Sequence, residues 1–397
     1  MCTLINFAKL TNYIDMKNAL FGLQLHLLRV LALSCLIAVF GLGRTPDAYA
    51  VNRNPASDGR VTYVGRIDKS QSAVSFDWSS TYLRISFTGD MLSAVVSDNR
   101  QDYFNVWIDK EMCAEPDKVI RIVGDTVAVI VGREDHALLK HGKTHSAVIQ
   151  KRTEGEQGTV TFREFVTSGD LVQAPSLSQR LIEFVGDSYT CGYGSENSVP
   201  EDRYTPETQN PSKTYAAVLA RFFDADYITI AHSGKGVVRN YGDTAPGWFM
   251  PERYGQTFDM IRGTEWNGRD IRPSLTVIYL GTNDFSTQKQ PSSASFVNGY
   301  LRLISAVKRN YGESHPILCV ASKADPMLYD YVREAVAKCG FGNVECMAFS
   351  SGVHLDTDSE LGADWHPNYR AHIKLAYAMI PYVSTMTGWD IPLKVVE

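Results

Sequence analysis

The sequence has 397 residues, of which 44% are hydrophobic, 21% charged and 11% aromatic. This is the composition of a soluble globular protein, and its length exceeds that of one compact core of ordinary size, which favours two domains. The formal net charge of -5 provides no basic surface of the kind that binds nucleic acid, so the composition argues against a nucleic-acid partner.

The first 50 residues have the pattern of a targeting segment. Basic side chains precede an apolar run over residues 30–43, which is too short for an ordinary membrane span. Ala48 and Ala50 then provide the small-residue pattern that signal peptidase accepts. We predict a signal peptide over residues 1–50 and a secreted or periplasmic mature chain that starts at Val51 without stable membrane insertion. An uncleaved N-terminal anchor is the alternative.

The cysteines after residue 50 are odd in number and scattered: Cys113, Cys191, Cys319, Cys339 and Cys346. This distribution is not that of a disulfide framework. Cys339 and Cys346 could pair across the glycine-containing turn between them, or both could be buried free thiols. No histidine or cysteine spacing resembles a zinc site, and we predict neither a metal nor a cofactor.

From about residue 60 to 175, short runs alternate between apolar and polar side chains and are separated by turn residues. The alternation is clearest over residues 74–78, 83–87, 104–108 and 160–165. Short alternating strands at this spacing predict an antiparallel β-sandwich, and no long helical pattern interrupts them. We place this all-β domain at residues 51–177.

Near residue 180 the pattern changes to apolar strands that alternate with helices. Strands are predicted over residues 181–185, 227–230, 275–280, 317–321 and 344–349. Helices are predicted from a Ser212 cap through residue 219, over residues 294–308 and 327–338, and from about 367 to 385. This alternation predicts a parallel sheet with helices on both faces, in an α/β domain over residues 178–397.

Residues that can carry chemistry follow these strands. Ser188 comes after the first strand in a glycine-rich turn, Gly234 follows the second strand, and Asn283 follows the third. His366 stands shortly before the last helix. Because ligands of parallel sheets bind beyond the carboxyl ends of the strands, we expect these residues to meet at one edge of the sheet.

This set of residues fits acyl transfer. A serine hydroxyl needs a base within hydrogen-bond reach, and a histidine can take the proton and return it to the leaving alkoxide. The N–H groups of Ser188 and Gly234 and the side-chain amide of Asn283 can donate to the tetrahedral oxyanion. We therefore predict Ser188 as the nucleophile and His366 as its base.

The motifs resemble the sequence blocks of the SGNH/GDSL hydrolases, and they occur in the order found in that family. The matching residues are Gly186-Asp187-Ser188, Gly234, Gly281-x-Asn283-Asp284, and Asp364 with His366. The resemblance implies a flavodoxin-like three-layer α/β hydrolase that acts on esters, with Asp364 as the third catalytic residue.

The spacing of the last block departs from the wider superfamily. Most of its members place the aspartate three residues before the histidine, whereas Asp364 lies two before His366. A backbone carbonyl could therefore orient the imidazole in place of the carboxylate.

Nearly the whole chain after residue 50 looks like carbohydrate esterase family two, in which a jelly-roll domain precedes the SGNH domain. The segments that fit this family are residues 104–109, 151–154, 186–194, 281–285 and 364–368. Membership implies a secreted serine esterase that removes O-acetyl groups from polysaccharides of the acetylated xylan or mannan type through an acyl-serine intermediate.

Three side chains beside the catalytic residues are candidates for contact with a sugar. Trp365 could stack on a pyranose ring or could be a core residue that fixes its loop. Asp284 could accept hydrogen bonds from sugar hydroxyls or could only support its own loop, and Tyr193 is a candidate of the same kind.

Two alternatives for the function stay open at this point. One is a carbohydrate-binding protein in which the β-sandwich binds the glycan and the hydrolase fold is inactive, because a fold alone does not decide function. The other is an esterase that acts on acetyl groups of a cell-wall polymer or of a host glycan.

Overall fold

The computed structural model describes residues 51–242, 247–267, 271–286, 289–322, 325–349 and 358–394. The predicted signal peptide over residues 1–50 lies outside the described residues. Among the helices that are described, none combines the length and the apolarity that a membrane crossing needs. The five cysteines after residue 50 are all free thiols, so Cys339 and Cys346 do not pair, and both are only partly buried.

The N-terminal domain consists of antiparallel β-strands. Its strands are β1 (Asn52–Pro55), β2 (Thr62–Val64), β3 (Asp68–Ser70), β4 (Ala73–Phe76), β5 (Tyr82–Thr88), β6 (Leu92–Ile108), β7 (Lys118–Val131), β8 (Thr144–Lys151), β9 (Val160–Thr167) and β10 (Leu171–Val172). The long strand β6 pairs with β7, β8 and β9 and is the centre of the domain. Alternate apolar side chains form the core, in which the rings of Phe76, Phe104 and Phe162 pack together.

The C-terminal domain is built on a parallel sheet. Its strands are β11 (Leu181–Gly186), β12 (Asp226–Ala231), β13 (Leu275–Tyr279), β14 (Ile317–Ser322) and β15 (Val344–Phe349), and a short hairpin adds β16 (Leu361–Gly362) and β17 (His366–Pro367). The five parallel strands lie in the order β12-β11-β13-β14-β15, which is the doubly wound order of flavodoxin-like sheets.

Helices cover both faces of this sheet. They are α1 (Ser188–Cys191), α2 (Tyr215–Phe222), α3 (Met250–Arg253), α4 (Ser293–Tyr311), α5 (Pro326–Lys338) and α6 (Tyr369–Thr387). Helices α2 and α6 pack in one apolar cluster, and helices α4 and α5 pack in another cluster on the opposite face. The result is a three-layer α/β arrangement.

One predicted helix start is wrong. Ser212 does not cap α2; it lies in a 3-10 turn over Pro211–Lys213, and the cap is Thr214, whose side chain accepts a hydrogen bond from the N–H of Ala217. The Ser212 hydroxyl instead donates to the backbone carbonyl of Ala114 in the β domain. A tertiary contact therefore takes the hydroxyl that the local sequence pattern assigned to the helix end.

The register of the sheet aligns the ends of its first three strands. Gly186 at the end of β11 is paired with Ala231 at the end of β12 and with Tyr279 at the end of β13. A side chain at Gly186 would stand 1.9 Å from the hydroxyl of Thr190, so this position needs glycine for the chain to turn directly into α1. Three loops consequently leave the sheet side by side.

A buried ion pair joins the two domains beneath this edge. Arg66 of the β domain and Glu183 of β11 are both fully buried, with 3.4 Å between guanidinium and carboxylate. Glu183 also accepts hydrogen bonds from the hydroxyls of Tyr254, Thr276 and Tyr311. The charges are thus paired and hydrogen-bonded, which is the condition for their burial.

The first prediction concerns this ion pair. Arg66→Met leaves the Glu183 carboxylate buried without its cation, so we expect the free energy of unfolding to fall by about 3–5 kcal/mol. Urea-induced unfolding of the purified protein measures the change.

The matched control is Arg53→Met, which removes an exposed pair with Glu164. Exposed pairs contribute little, and we expect a change below about 1 kcal/mol. An equally small change for Arg66→Met would show that the buried pair does not hold the domains together.

Candidate active site

Ser188 and His366 meet at the aligned strand ends. Ser188 is the first residue of α1, just after β11, and only 6% of its surface is exposed. The Nε2 atom of His366, which comes from β17, lies 2.9 Å from the Oγ atom of Ser188. The two residues are 178 positions apart in the chain, and the fold brings them within hydrogen-bond distance.

The backbone of the hairpin loop orients the imidazole. The Nδ1 atom of His366 lies 3.0 Å from the carbonyl oxygen of Asp364, to which it donates a hydrogen bond. Asp364 and Trp365 both have positive φ angles, of 49° and 56°, in a region that non-glycine residues rarely adopt. This backbone turns the carbonyl toward Nδ1, which leaves Nε2 unprotonated and able to accept the hydroxyl proton of Ser188.

The prediction of Asp364 as a third catalytic carboxylate is therefore corrected. Its carboxylate has other partners and accepts hydrogen bonds from the hydroxyl of Tyr193, the N–H of Tyr204 and the guanidinium of Arg203. Although burial opposes them, these donors keep the pKa of Asp364 below its usual value. Because only Trp365 separates Asp364 from His366, the main-chain carbonyl of Asp364 is the group that reaches the ring.

The two backbone N–H groups predicted as oxyanion donors lie in the loops at this edge. Neither the N–H of Ser188 nor that of Gly234 donates to any acceptor among the described residues. Gly234 has a φ of +74°, which glycine adopts without strain, and its loop follows β12 next to α1. Their N–H groups remain available to a substrate carbonyl.

Asn283 lies at the same edge but has other partners. Its amide Nδ2 donates to the carboxylate of Asp187 at 3.1 Å and to the carbonyl of Lys235 at 2.9 Å. Both of its N–H groups are thus engaged in this arrangement, and a substrate oxygen would compete with one of these two acceptors. Its predicted role as a third donor stays a prediction.

Both parts of the chain match families of known proteins. Residues 63–175 match the family model described as carbohydrate esterase 2 N-terminal, and residues 184–375 match the GDSL-like lipase/acylhydrolase family. A solved family two carbohydrate esterase from Clostridium thermocellum, in complex with cellohexaose, is 32% identical with a TM-score of 0.74, over 83% of this chain and 100% of that chain. The chain belongs to carbohydrate esterase family two.

Two curated relatives of this family-two chain carry functional names. Cellulase/esterase CelE of Acetivibrio thermocellus is 33% identical over 356 residues, which are 87% of this chain but only 41% of that protein. The acetylxylan esterase / glucomannan deacetylase of Cellvibrio japonicus is 28% identical over 79% of this chain and 86% of its own length. The chain therefore spans less than half of the first relative and most of the second.

Exposed aromatic side chains stand on two sides of this family-two site. Trp365, next to the base, is 57% exposed, so it is not the core residue of the alternative interpretation. Tyr241 is 70% exposed, and its Cβ lies 3.7 Å from where a Cβ on Gly234 would be. Exposed indole and phenol rings at the rim of a site are suited to contact with sugar rings.

The other two candidate sugar-binding residues have structural roles. Asp284 is fully buried and accepts hydrogen bonds from the backbone N–H groups of Val237, Val238 and Arg239, so the prediction that it contacts sugar hydroxyls is wrong. The ring of Tyr193 lies 4.2 Å from the His366 ring, between centroids, and therefore supports the base.

Sequence reasoning missed several residues of the site. Tyr204 stacks on Tyr193 with 4.0 Å between ring centroids, and Tyr241 lies beside Gly234, but no local pattern distinguishes either tyrosine. Glu154 of the β domain bonds to Ser233 next to the oxyanion glycine. A signal for Glu154 is present in the sequence, because it ends the segment 151–154, which begins at the last residue of β8 and fits the family.

Within the described ranges, no three or more His, Cys, Asp or Glu side chains are grouped so that they could hold a metal ion. Several acidic groups are nonetheless buried near Ser188. Burial, together with the charges of Asp284 and Glu154, raises the pKa of Asp187 to about 7. Burial likewise raises the pKa of Asp284 to about 6, although the three backbone N–H groups that donate to its carboxylate act to lower it.

The second prediction grades the catalytic residues. Ser188→Ala and His366→Ala should each lower kcat for an acetyl ester at least about 1000-fold, because nucleophile and base act as one unit. Asp364→Asn should lower kcat only about 10- to 100-fold, because the backbone carbonyl remains and only the support of Tyr193 and Tyr204 weakens.

Asparagine is the informative substitution because it tolerates the positive φ angle of Asp364. Steady-state kinetics of the three purified variants decide the matter. Equal losses for all three would restore the carboxylate as a catalytic group.

The third prediction concerns pH. Burial lowers the pKa of His366 below its ordinary value of 6.5, and the base must be neutral to accept a proton. Activity should therefore be lost on acidification only as the pH falls below 6.5. Acetate release measured across the acidic and neutral range gives the midpoint, and a midpoint near 7 would instead indicate control by Asp187.

Proposed function

We propose that this chain is a serine esterase that removes O-acetyl groups from polysaccharide, of the acetylated xylan or glucomannan type, through an acyl-serine intermediate. The observation that carries the proposal is the 2.9 Å contact between the Ser188 hydroxyl and the His366 imidazole beside two free N–H donors. The acetylxylan esterase / glucomannan deacetylase relative supports the substrate class.

The reaction follows from these groups. The Oγ atom of Ser188 attacks the acetyl carbonyl carbon while its proton passes to Nε2 of His366, and the N–H groups of Ser188 and Gly234 donate to the oxyanion. The oxyanion collapses, the bond to the sugar oxygen breaks, and that oxygen takes the proton from His366. Water then attacks the acetyl-serine with His366 again as base, which releases acetate and restores the Ser188 hydroxyl.

The rim of the site supports a sugar as the alcohol part of the ester. Trp365 stands beside the base and Tyr241 beside the oxyanion glycine, and both rings are open to solvent. Aromatic rings have flat apolar faces with polar edges, which suits them to pyranose rings. Export by cleavage before Val51 is part of the same proposal, because polysaccharides of this kind lie outside the cell.

The second candidate, a glycan-binding β-sandwich with an inactive hydrolase, has less support. None of the described residues of the β domain is an aromatic side chain exposed to the degree of Tyr241 and Trp365. We propose instead that this domain has the jelly-roll arrangement and serves as a scaffold for the hydrolase.

The fourth prediction tests the function. Wild-type protein should release acetate from acetylated xylan or acetylated glucomannan, and Ser188→Ala should release none, because the acyl acceptor is gone. Acetate is measured enzymatically after incubation with a panel that also contains an acetylated bacterial wall polymer and an acetylated host-type glycan.

The pattern across the panel separates the alternatives. Release of acetate from the wall polymer or the host glycan alone would show that these, and not xylan or glucomannan, are the substrate class. Binding of glycans without any release, by folded wild-type protein and by Ser188→Ala equally, would contradict the esterase and favour the binding protein.

A further inference from the structure

We propose that Glu154, a residue of the β domain, is a positioning residue for the oxyanion site of the hydrolase domain. Its carboxylate holds Ser233 so that the N–H of the next residue, Gly234, faces the reacting carbonyl. The inference rests on the proposed esterase function, and it gives the β domain a part in the reaction itself.

The contact is short, buried and bidentate. Glu154 is 3% exposed, and its Oε2 atom accepts the N–H of Ser233 at 2.6 Å while its Oε1 atom accepts the hydroxyl of Ser233 at 2.6 Å. Two hydrogen bonds from one carboxyl group to the same residue fix direction as well as distance. Ser233 thereby has both its backbone donor and its side chain fixed by one group.

Fixing Ser233 fixes the donor that follows it. The N–H of Gly234 belongs to the peptide plane that begins at the Ser233 carbonyl, so the orientation of Ser233 decides where this N–H points. On its other side, Gly234 accepts the N–H of Tyr241 at 2.7 Å, and the next carbonyl, of Lys235, accepts from Asn283. Without Glu154, Ser233 would lose both of the contacts through which this carboxylate holds it.

A second anchor from the β domain holds the start of the same loop. His232 is fully buried, with 2.6 Å from Nδ1 to the Asp259 carboxylate and 3.1 Å from Nε2 to the Glu156 carboxylate. Burial acts to lower its pKa, but the two carboxylates outweigh burial and raise it to about 9. Asp77 of the β domain in turn accepts the backbone N–H of Asp259 at 2.7 Å.

Glu154 also adjoins the nucleophile turn. Cys191, at the end of α1, is fully buried, and burial, together with the adjacent Glu154 carboxylate, raises the pKa of its thiol. The thiol therefore stays protonated, and its S–H can donate to the carboxylate. The carboxylate that contacts the loop carrying Gly234 therefore also lies near the turn that carries Ser188.

The main chain at Glu154 has supports that do not involve its carboxylate. Lys151 is fully buried and donates from Nζ to the carbonyls of Thr153 and Glu154, at 2.8 and 3.0 Å, and to the carboxylate of Asp102 at 2.6 Å. The segment 151–154 is therefore held in place independently. Removal of the carboxylate should disturb Ser233 without unfolding the segment.

The test compares Glu154→Ala with Glu154→Gln in the full chain. Alanine removes both acceptors, so kcat for p-nitrophenyl acetate should fall about 10- to 100-fold, less than the loss of a whole oxyanion donor, while KM changes little. In glutamine, the amide oxygen can accept the Ser233 N–H and the amide N–H can donate to the Ser233 hydroxyl. We expect this variant to recover most of the activity.

A thionoester separates positioning from general damage. Sulfur is larger than oxygen and a weaker acceptor, so turnover of the thiono analogue depends less on the oxyanion donors. The ratio of kcat/KM between p-nitrophenyl acetate and its thiono analogue should therefore fall in Glu154→Ala and return in Glu154→Gln. The matched control is Tyr82→Phe, which removes a buried 2.6 Å hydrogen bond to Asp226 at the opposite end of β12 and should leave the ratio unchanged.

Each outcome decides the inference. Wild-type kcat in Glu154→Ala, or an equal loss on both esters, would overturn it. If the alanine variant does not fold, Glu154→Asp decides the matter, because it keeps the charge but withdraws the carboxylate from Ser233 by one methylene group. A wild-type protein that releases acetate from neither p-nitrophenyl acetate nor the acetylated polysaccharides would instead remove the proposed function and the inference with it.

Discussion

The parallel register of β11, β12 and β13 sets Gly186, Ala231 and Tyr279 side by side. Each strand continues directly into a loop at that edge, so the nucleophile, the oxyanion glycine and the asparagine amide leave the sheet at one level. A shift of any strand by one residue would exchange the faces of all its side chains and separate these groups. The rest of the site, including the base supplied by the distant hairpin, is built around this alignment.

The alignment is stabilised from the β domain, by residues that carry charge. Arg66 reaches Glu183 in the middle of the sheet, while Glu154 and Glu156 reach the loop after β12. Arg66, Glu183 and Glu154 are buried, whereas the Glu156 side chain is 54% exposed. Buried charges need partner charges or hydrogen bonds, which makes the interface specific in geometry and sensitive to the loss of one partner. The β domain is therefore part of the framework of the site and not a separate appended module.

A backbone carbonyl orients the His366 base, whereas the sequence pattern of the wider superfamily predicts that a carboxylate does so. The left-handed backbone at Asp364 and Trp365 turns a carbonyl to Nδ1 of His366, and the freed carboxylate holds Tyr193 and the backbone of Tyr204, whose rings stack beside the imidazole. The same strained turn exposes Trp365 at the rim. One local conformation thus orients the base and presents an aromatic surface, and neighbouring contacts sustain its strain.

The sequence by itself determined the order of strands and helices and the residues at the strand ends, because periodicity, glycine and capping signals are local properties of the chain. It named Ser188, His366 and Gly234 for the same reason. Only the tertiary structure decided which atom orients His366, that Asp284 serves its loop, that Thr214 and not Ser212 caps α2, and that Glu154 reaches Ser233. Those outcomes depend on contacts between segments that are far apart in the chain. They also depend on which polar atoms become buried and must then find hydrogen-bond partners within the protein. The spacing of neighbouring residues encodes neither.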